Sequence, residues 1–289
     1  MAEQISSIQN SFLRVEISNI GATVKSVKDT CGNEYIWAAD PQFWKGSAPI
    51  LFPICGGLNG DTYKYNGKEY TLGRHGYIRF KEFKVTKHSE DEIVFSSHSD
   101  EETMQSYPFV YDFIVTFKLD ANKLVTTYTV QNENDCKMYF SVGAHEGYQL
   151  KYPLTEYSLV FDGVQDPPVY SDSFKPIDKG SVSYTDNGAL VLNFKTEQFA
   201  DGSVMFHPLN AKSIALVNKH DSKRVTVDLE NCEYLVLWTV PNAPFMCIEP
   251  WNGISDPVGF DGDISDKEGI VCLDENKCYS FTHTITFDK

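Results

Sequence analysis

Apolar and polar positions alternate with a period of two along most of the chain. Phe12-Leu13-Arg14-Val15-Glu16-Ile17 shows the pattern first. It returns in Ile93-Val94-Phe95-Ser96, in Phe113-Ile114-Val115-Thr116-Phe117 and in Leu124-Val125-Thr126-Thr127-Tyr128-Thr129-Val130. Ser213–Val217, Arg224–Leu229, Tyr234–Val240 and Tyr279–Phe287 continue it to the C-terminus. These runs are rich in β-branched and aromatic residues, which fit a half-buried pleated surface. Turn chemistry separates them. Tyr65-Asn66-Gly67-Lys68 predicts a hairpin, because Asn-Gly tolerates the positive φ of a type I′ turn. Asp120-Ala121-Asn122 and Asp186-Asn187-Gly188 predict further turns. Helical periodicity is weak; short turns near Asp40–Trp44 and Glu101–Tyr107 are the helical candidates. Asp162–Lys179, with Pro167, Pro168 and Pro176, reads as a long loop. Many strands, few helices and no linker predict one all-β domain over residues 1–289, a large antiparallel β-sandwich or barrel.

Composition narrows the functional classes. The 289 residues are 42% hydrophobic, enough for a large core, and carry a net charge of −15. That field repels a nucleic-acid backbone and no basic block offsets it, so no nucleic-acid partner is expected. No apolar run is long enough to span a bilayer, so no membrane partner is expected. MAEQISSIQN lacks a basic and then apolar leader, which predicts a cytoplasmic location. The seven cysteines are scattered without a CxxC pair and read as buried, reduced thiols.

Three islands interrupt the strand pattern. Thr71-Leu72-Gly73-Arg74-His75-Gly76-Tyr77-Ile78-Arg79 sets a histidine between glycines and arginines. Ser141-Val142-Gly143-Ala144-His145-Glu146-Gly147-Tyr148 sets another among small residues at a strand end. Met246-Cys247-Ile248-Glu249-Pro250-Trp251-Asn252-Gly253 places a carboxylate after an apolar run that Pro250 is expected to end, with Trp251 offering a flat face for a sugar ring. Each fragment alone is equally a turn histidine, a backbone-satisfied histidine or a strand-end glutamate. Together, two imidazoles and a carboxylate supply a general acid, an orienting group and a general base. The same three could form a two-histidine, one-carboxylate metal site, but the chain lacks the compact HxD/E or HxH pair, so no metal is expected. His88, His98 and His220 fall in polar turns, His283 alternates on a strand, and His207 precedes Pro208.

At these residues the chain resembles the aldose 1-epimerase (galactose mutarotase) family, in its bacterial epimerase-like branch and close to the hexose-6-phosphate mutarotases. Gly73–Arg79 looks like the family's R-H-G-F-x-R signature. Val142–His145 looks like its second-histidine motif, and Cys247–Gly253 like its C-x-E-P-W-x-G motif. Asn19-Ile20-Gly21-Ala22 and Trp44–Pro53 support the match, in the family's order. The resemblance implies a supersandwich with the sugar in an open cleft. It also implies an isomerase that interconverts the anomers of a hexose without a cofactor. Glu249 would be the base, His145 the acid and His75 the group orienting the sugar. Arg74, Arg79, Asp201 and Trp251 would bind substrate. The expected partner is a small-molecule sugar, on a monomer or homodimer. Alternatives on the same fold are a hexose-6-phosphate mutarotase and a carbohydrate-binding protein without turnover. Two positions depart from the pattern. Gly57 stands where many relatives carry arginine, which removes a cationic sugar-binding fork. Glu146 replaces a proline, and a carboxylate beside His145 is expected to raise its pKa.

Overall fold

The computed structural model describes residues 2–170, 182–195, 198–200, 202–221 and 223–288. Among them, strands form a ten-stranded and a seven-stranded antiparallel sheet, with smaller sheets of three, two and two strands. At the middle of the large sheet, Lys123–Asn132 pairs with Tyr111–Asp120 on one side and Cys278–Phe287 on the other. Alternation decides which face turns inward: Tyr111, Phe113, Val115, Phe117 and Leu119 are buried, and so are Leu124, Tyr128 and Val130. Phe52, from the seven-stranded side, closes the gap between layers against Phe113 at 4.8 Å, Tyr111 at 5.0 Å and Phe140 at 5.5 Å.

The turns behave as their residues require. Thr62–Tyr65 and Lys68–Thr71 form the predicted hairpin, with Asn66 at φ 50° and Gly67 at φ 73°. Asp120 pairs with Lys123 across a two-residue turn. The Glu101–Tyr107 candidate is a single helical turn, Thr103–Ser106, whereas Asp40–Trp44 is a turn and not a helix. Within the expected loop Asp162–Lys179 the chain pairs a short strand, Val169–Tyr170, against Val204–Phe206; the loop's remainder from 171 lies outside the described residues.

The seven-stranded sheet carries the site, and its central strand is Phe245–Asn252, buried along its whole length. Even-numbered Met246 and Ile248 join the main core, while Phe245, Cys247 and Trp251 face the other way into separate apolar clusters. Pro250 does not end this strand. It stays in register opposite Leu235. Trp251 O accepts from Glu233 N on that side, so the backbone of Pro250 points to the opposite neighbour. There the missing N–H coincides with a break between Val142–Ala144 and Glu146–Gln149. The Trp251 indole N–H compensates by donating to Ala144 O at 3.1 Å.

Of the seven cysteines, all free, Cys55 and Cys247 are buried and Cys232 is half-buried. Cys31, Cys136, Cys272 and Cys278 are exposed, against the expectation of uniformly buried thiols. No described helix is long and apolar enough to cross a membrane.

Candidate functional site

Strand register brings the second and third islands together. Val142–Ala144 and Glu146–Gln149 both pair with Phe245–Asn252, Gly143 opposite Trp251 and Glu146 opposite Ile248. The residue between them, His145, therefore stands opposite Glu249, with both side chains on the same face. His145 Nε2 lies 3.4 Å from Glu249 Oε2. Gly143 and Gly147 flank the histidine on that face and leave bare backbone for two aromatic plates. A Cβ at Gly143 would stand 2.5 Å from Trp251, and one at Gly147 would stand 3.0 Å from Trp44. Trp44 then stacks on His145 at 5.0 Å and 24°, while Trp238 meets it edge-on at 5.8 Å.

The first island reaches the same place by a laced loop. His75 N donates to Gly56 O at 2.7 Å, and Gly56 N donates to His75 Nδ1 at 3.1 Å. An accepting Nδ1 puts the ring proton on Nε2. His75 itself adopts φ 66°, an uncommon value for a residue with a side chain, and Gly76 follows at φ 65°. His75 sits 5.3 Å from His145 and 5.6 Å from Trp251, ring to ring. The three predicted residues thus converge on one cleft of about 750 Å³, whose walls also include Arg74, Arg79 and Trp251. Asp201 lies outside the described residues, although its neighbours Gly202 and Ser203 line the cleft.

Burial governs the charges. Glu249 is 1% exposed, and neither carboxyl oxygen has a hydrogen-bond partner among the described residues. Burial pushes its pKa well above the carboxylate range, Glu146 adds to the rise, and Arg74 opposes it. His145 moves the other way, down to about 3, because burial and the nearby Arg79 and Arg74 disfavour the imidazolium. His75 is lowered for the same reasons, with His145 contributing. The expected rise at His145 from Glu146 is therefore wrong. Adjacent strand residues point to opposite faces, and the Glu146 carboxylate bonds His283 on the far side of the sheet.

Cations gather at the cleft. Lys25, Lys45, Arg74 and Arg79 all line it. Lys25 pairs with Glu3 at 3.6 Å. Arg79 donates to Arg74 O at 2.9 Å and lies over the Phe80 ring at 4.7 Å. Gly57 lies beneath the Arg74 guanidinium: a Cβ there would stand 3.5 Å from Arg74 Nη2, in ordinary van der Waals contact. Among the described residues, the ligand-capable atoms that cluster within 4.8 Å belong to His145, Cys247 and Glu249, without His75. Two guanidiniums facing that cluster create a field that opposes a bound cation.

Sequence reasoning missed Trp44 and Trp238 as site walls and Lys25 and Lys45 as site charges. The first two carry a signal after the fact: Gly143, His145 and Gly147 alternate, which marks a face with room for rings. The lysines carry none. The other histidines stay apart from the cleft. His88 bonds Ser7 O, His98 pairs with Asp112, His207 stacks on Tyr234 and His220 pairs with Glu156.

The sequence pattern of aldose 1-epimerases matches residues 4–263. The chain belongs to the aldose 1-epimerase family. It is 31% identical over 282 residues to the plasmid-encoded protein LacX of Lactococcus lactis, spanning 91% of this chain and 93% of that one. Among solved structures, a galactose mutarotase related enzyme from Lactobacillus acidophilus matches with TM-score 0.90 and 30% identity, covering 99% of this chain and 98% of the other. A galactose mutarotase-like protein from Lactobacillus casei matches with TM-score 0.87 and 26% identity, covering 98% and 99%. The fold of this aldose 1-epimerase family member is thus the all-β galactose mutarotase-like sandwich expected from the resemblance.

Proposed function

We propose that the protein is a mutarotase that interconverts the α and β anomers of a hexose such as galactose or glucose by acid–base ring opening. The observation that carries this reading is the His145–Glu249 pair, 3.4 Å apart on the floor of a cleft large enough for a sugar. In the reaction, ionised Glu249 takes the proton of the C1 hydroxyl while protonated His145 gives its proton to the ring oxygen. The C1–O5 bond breaks and an open-chain aldehyde forms. Rotation about C1–C2 presents the other face. His145 then recovers the proton from the C5 hydroxyl, O5 attacks C1, and Glu249 returns its proton to the new C1 oxygen.

The pair carries one proton throughout. It rests on His145 when the ring is closed and on Glu249 when the ring is open. Burial of the cleft floor favours the second distribution, a neutral imidazole beside a protonated carboxyl. Arg74 lowers the proton affinity of both partners, so it acts on the pair's total charge and does not choose between the two forms. The two forms carry the same net charge, so the transfer moves no net charge into the buried floor. His75, with its proton on Nε2, orients a sugar oxygen as donor, and Trp251 walls the ring.

A second reading concerns the substrate's charge. In a chain of net charge −15, Lys45, Arg74 and Arg79 at one cleft, beyond the Lys25–Glu3 pair, favour a sugar that carries an anion, as in a hexose 6-phosphate. Polarimetry on freshly dissolved α-glucose, α-galactose and glucose 6-phosphate separates the readings. Faster decay of optical rotation with the neutral sugars supports the first, and a preference for the phosphate supports the second. Binding of sugar with no acceleration for any of the three would contradict both and leave a carbohydrate-binding protein.

A further inference from the structure

We propose that Glu146, anchored by His283, is a positioning residue that acts on Glu249 from behind the sheet and sets the pH range of the reaction. This rests on the mutarotase reading above. Glu146 follows His145 directly and pairs with Ile248, the residue before Glu249. It is thus one residue from each member of the cleft pair, on the opposite face of the same two strands. Its Oε1 lies 3.0 Å from His283 Nε2, and the two side chains are 6% and 1% exposed. His283 belongs to Cys278–Phe287, a central strand of the ten-stranded sheet, so the contact ties the strand bearing His145 to the opposite layer. The second carboxyl oxygen and His283 Nδ1 have no hydrogen-bond partner among the described residues. A carboxylate is costly to bury between apolar layers, and this one touches no part of the cleft.

The groups around it leave its charge little compensated. Tyr128 faces it from Lys123–Asn132 and Tyr148 from its own strand, while Cys247 and Glu249, on the other face of Phe245–Asn252, still feel its charge. Burial pushes both phenols and the Cys247 thiol well up, which keeps them neutral in the neutral range. His283 is the one side chain that hydrogen-bonds it among the described residues, and it belongs to the opposite layer, on the side away from Glu249. The carboxyl end of the Glu146–His283 pair therefore faces the cleft strands. A negative charge behind Glu249 makes it a stronger base for the C1 hydroxyl.

The test compares the protein with Glu146→Gln and Glu146→Asp. Two readouts are taken: the pH dependence of kcat/KM for anomer exchange, and the ¹³C titration of the Glu249 carboxyl, which needs no turnover. Glu146→Gln keeps the size and the contact to His283 but removes the charge. Because the working pair holds one proton and Glu249 is the member that releases it last, this variant should lower the Glu249 midpoint and the alkaline limb of kcat/KM together, by about one pH unit, and leave KM unchanged. Glu146→Asp keeps the charge and should hold both near the parent values. In the unsubstituted protein, the Glu249 midpoint should lie well above the carboxylate range. This last measurement stands even if neither variant folds. An ordinary carboxylate midpoint there, an unmoved Glu249 midpoint in Glu146→Gln, or an equal shift in Glu146→Asp would overturn the proposal. If the midpoint moves while the parent protein exchanges no anomers, the coupling stands and the mutarotase reading alone fails.

Discussion

Single residues at the cleft trade stability for chemistry, and the trade has a sign at each one. His75 and His145 have folded pKa values below their unfolded ones. Their contribution to stability is present above the unfolded value of about 6.5 and is lost as pH falls through that point, since the unfolded chain then binds the extra protons. Each can cost up to about 1.4 kcal/mol per pH unit below it. Urea unfolding at pH 7.5 and 5.5 should show the loss, and His145→Asn should flatten the slope; an equal slope in the variant would contradict the account. Glu249 has the opposite sign. Its folded pKa is raised, so its contribution is full below the unfolded carboxylate range and is lost as pH rises through the folded value. Glu249→Gln should therefore raise the thermal midpoint, most clearly above neutral pH. At this scale the sequence was informative about identity and silent about charge. His75, His145 and Glu249 were readable as a set, because histidines and a glutamate among small residues and next to apolar runs are unusual. The direction of Glu146 was not, because its effect depends on which face of the strand it takes.

At the scale of elements, the glycines that flank His145 are the parts on which the geometry turns. An alanine fits a strand backbone, but a Cβ at Gly143 would stand 2.5 Å from the Trp251 ring and 3.0 Å from Cys55 Sγ. Gly143→Ala should thus displace the indole and loosen its bond to Ala144 O. A destabilisation of about 1–3 kcal/mol is expected by urea titration, with a loss of turnover larger than the loss of stability explains. Full activity in that variant would mean that the position of Trp251 is unimportant. The strands themselves were legible from period-two alternation, as Leu13–Ser18 and Cys278–Phe287 illustrate. The error at Pro250 is instructive. Proline removes a donor on one side only, so a strand can run through it where that side is already interrupted, here beside His145. No local rule predicts that interruption, because it depends on which strand lies opposite.

The molecule as a whole assembles the cleft from strands and loops far apart in sequence. Neither the order of strands in the two large sheets nor the gathering of Lys25, Lys45, Arg74 and Arg79 follows from local patterning, since both are set by long-range pairing. The resulting charge pattern is a local cationic cleft on a body of net charge −15. Salt screens charges beyond about 8–10 Å, so the two fields respond differently to ionic strength. If the substrate carries a phosphate, its KM should rise with added salt and rise further in Arg79→Gln, while KM for glucose stays flat. A salt-independent KM for glucose 6-phosphate would remove the anionic reading. The central claim is that one proton shared by His145 and Glu249 opens and closes the sugar ring. It is tested most directly by NMR exchange between the α and β anomers of the preferred hexose, with sugar binding measured in parallel. The account predicts that Glu249→Gln and His145→Asn each slow exchange by about 10²-fold or more while binding persists; exchange at the parent rate in either variant would contradict it.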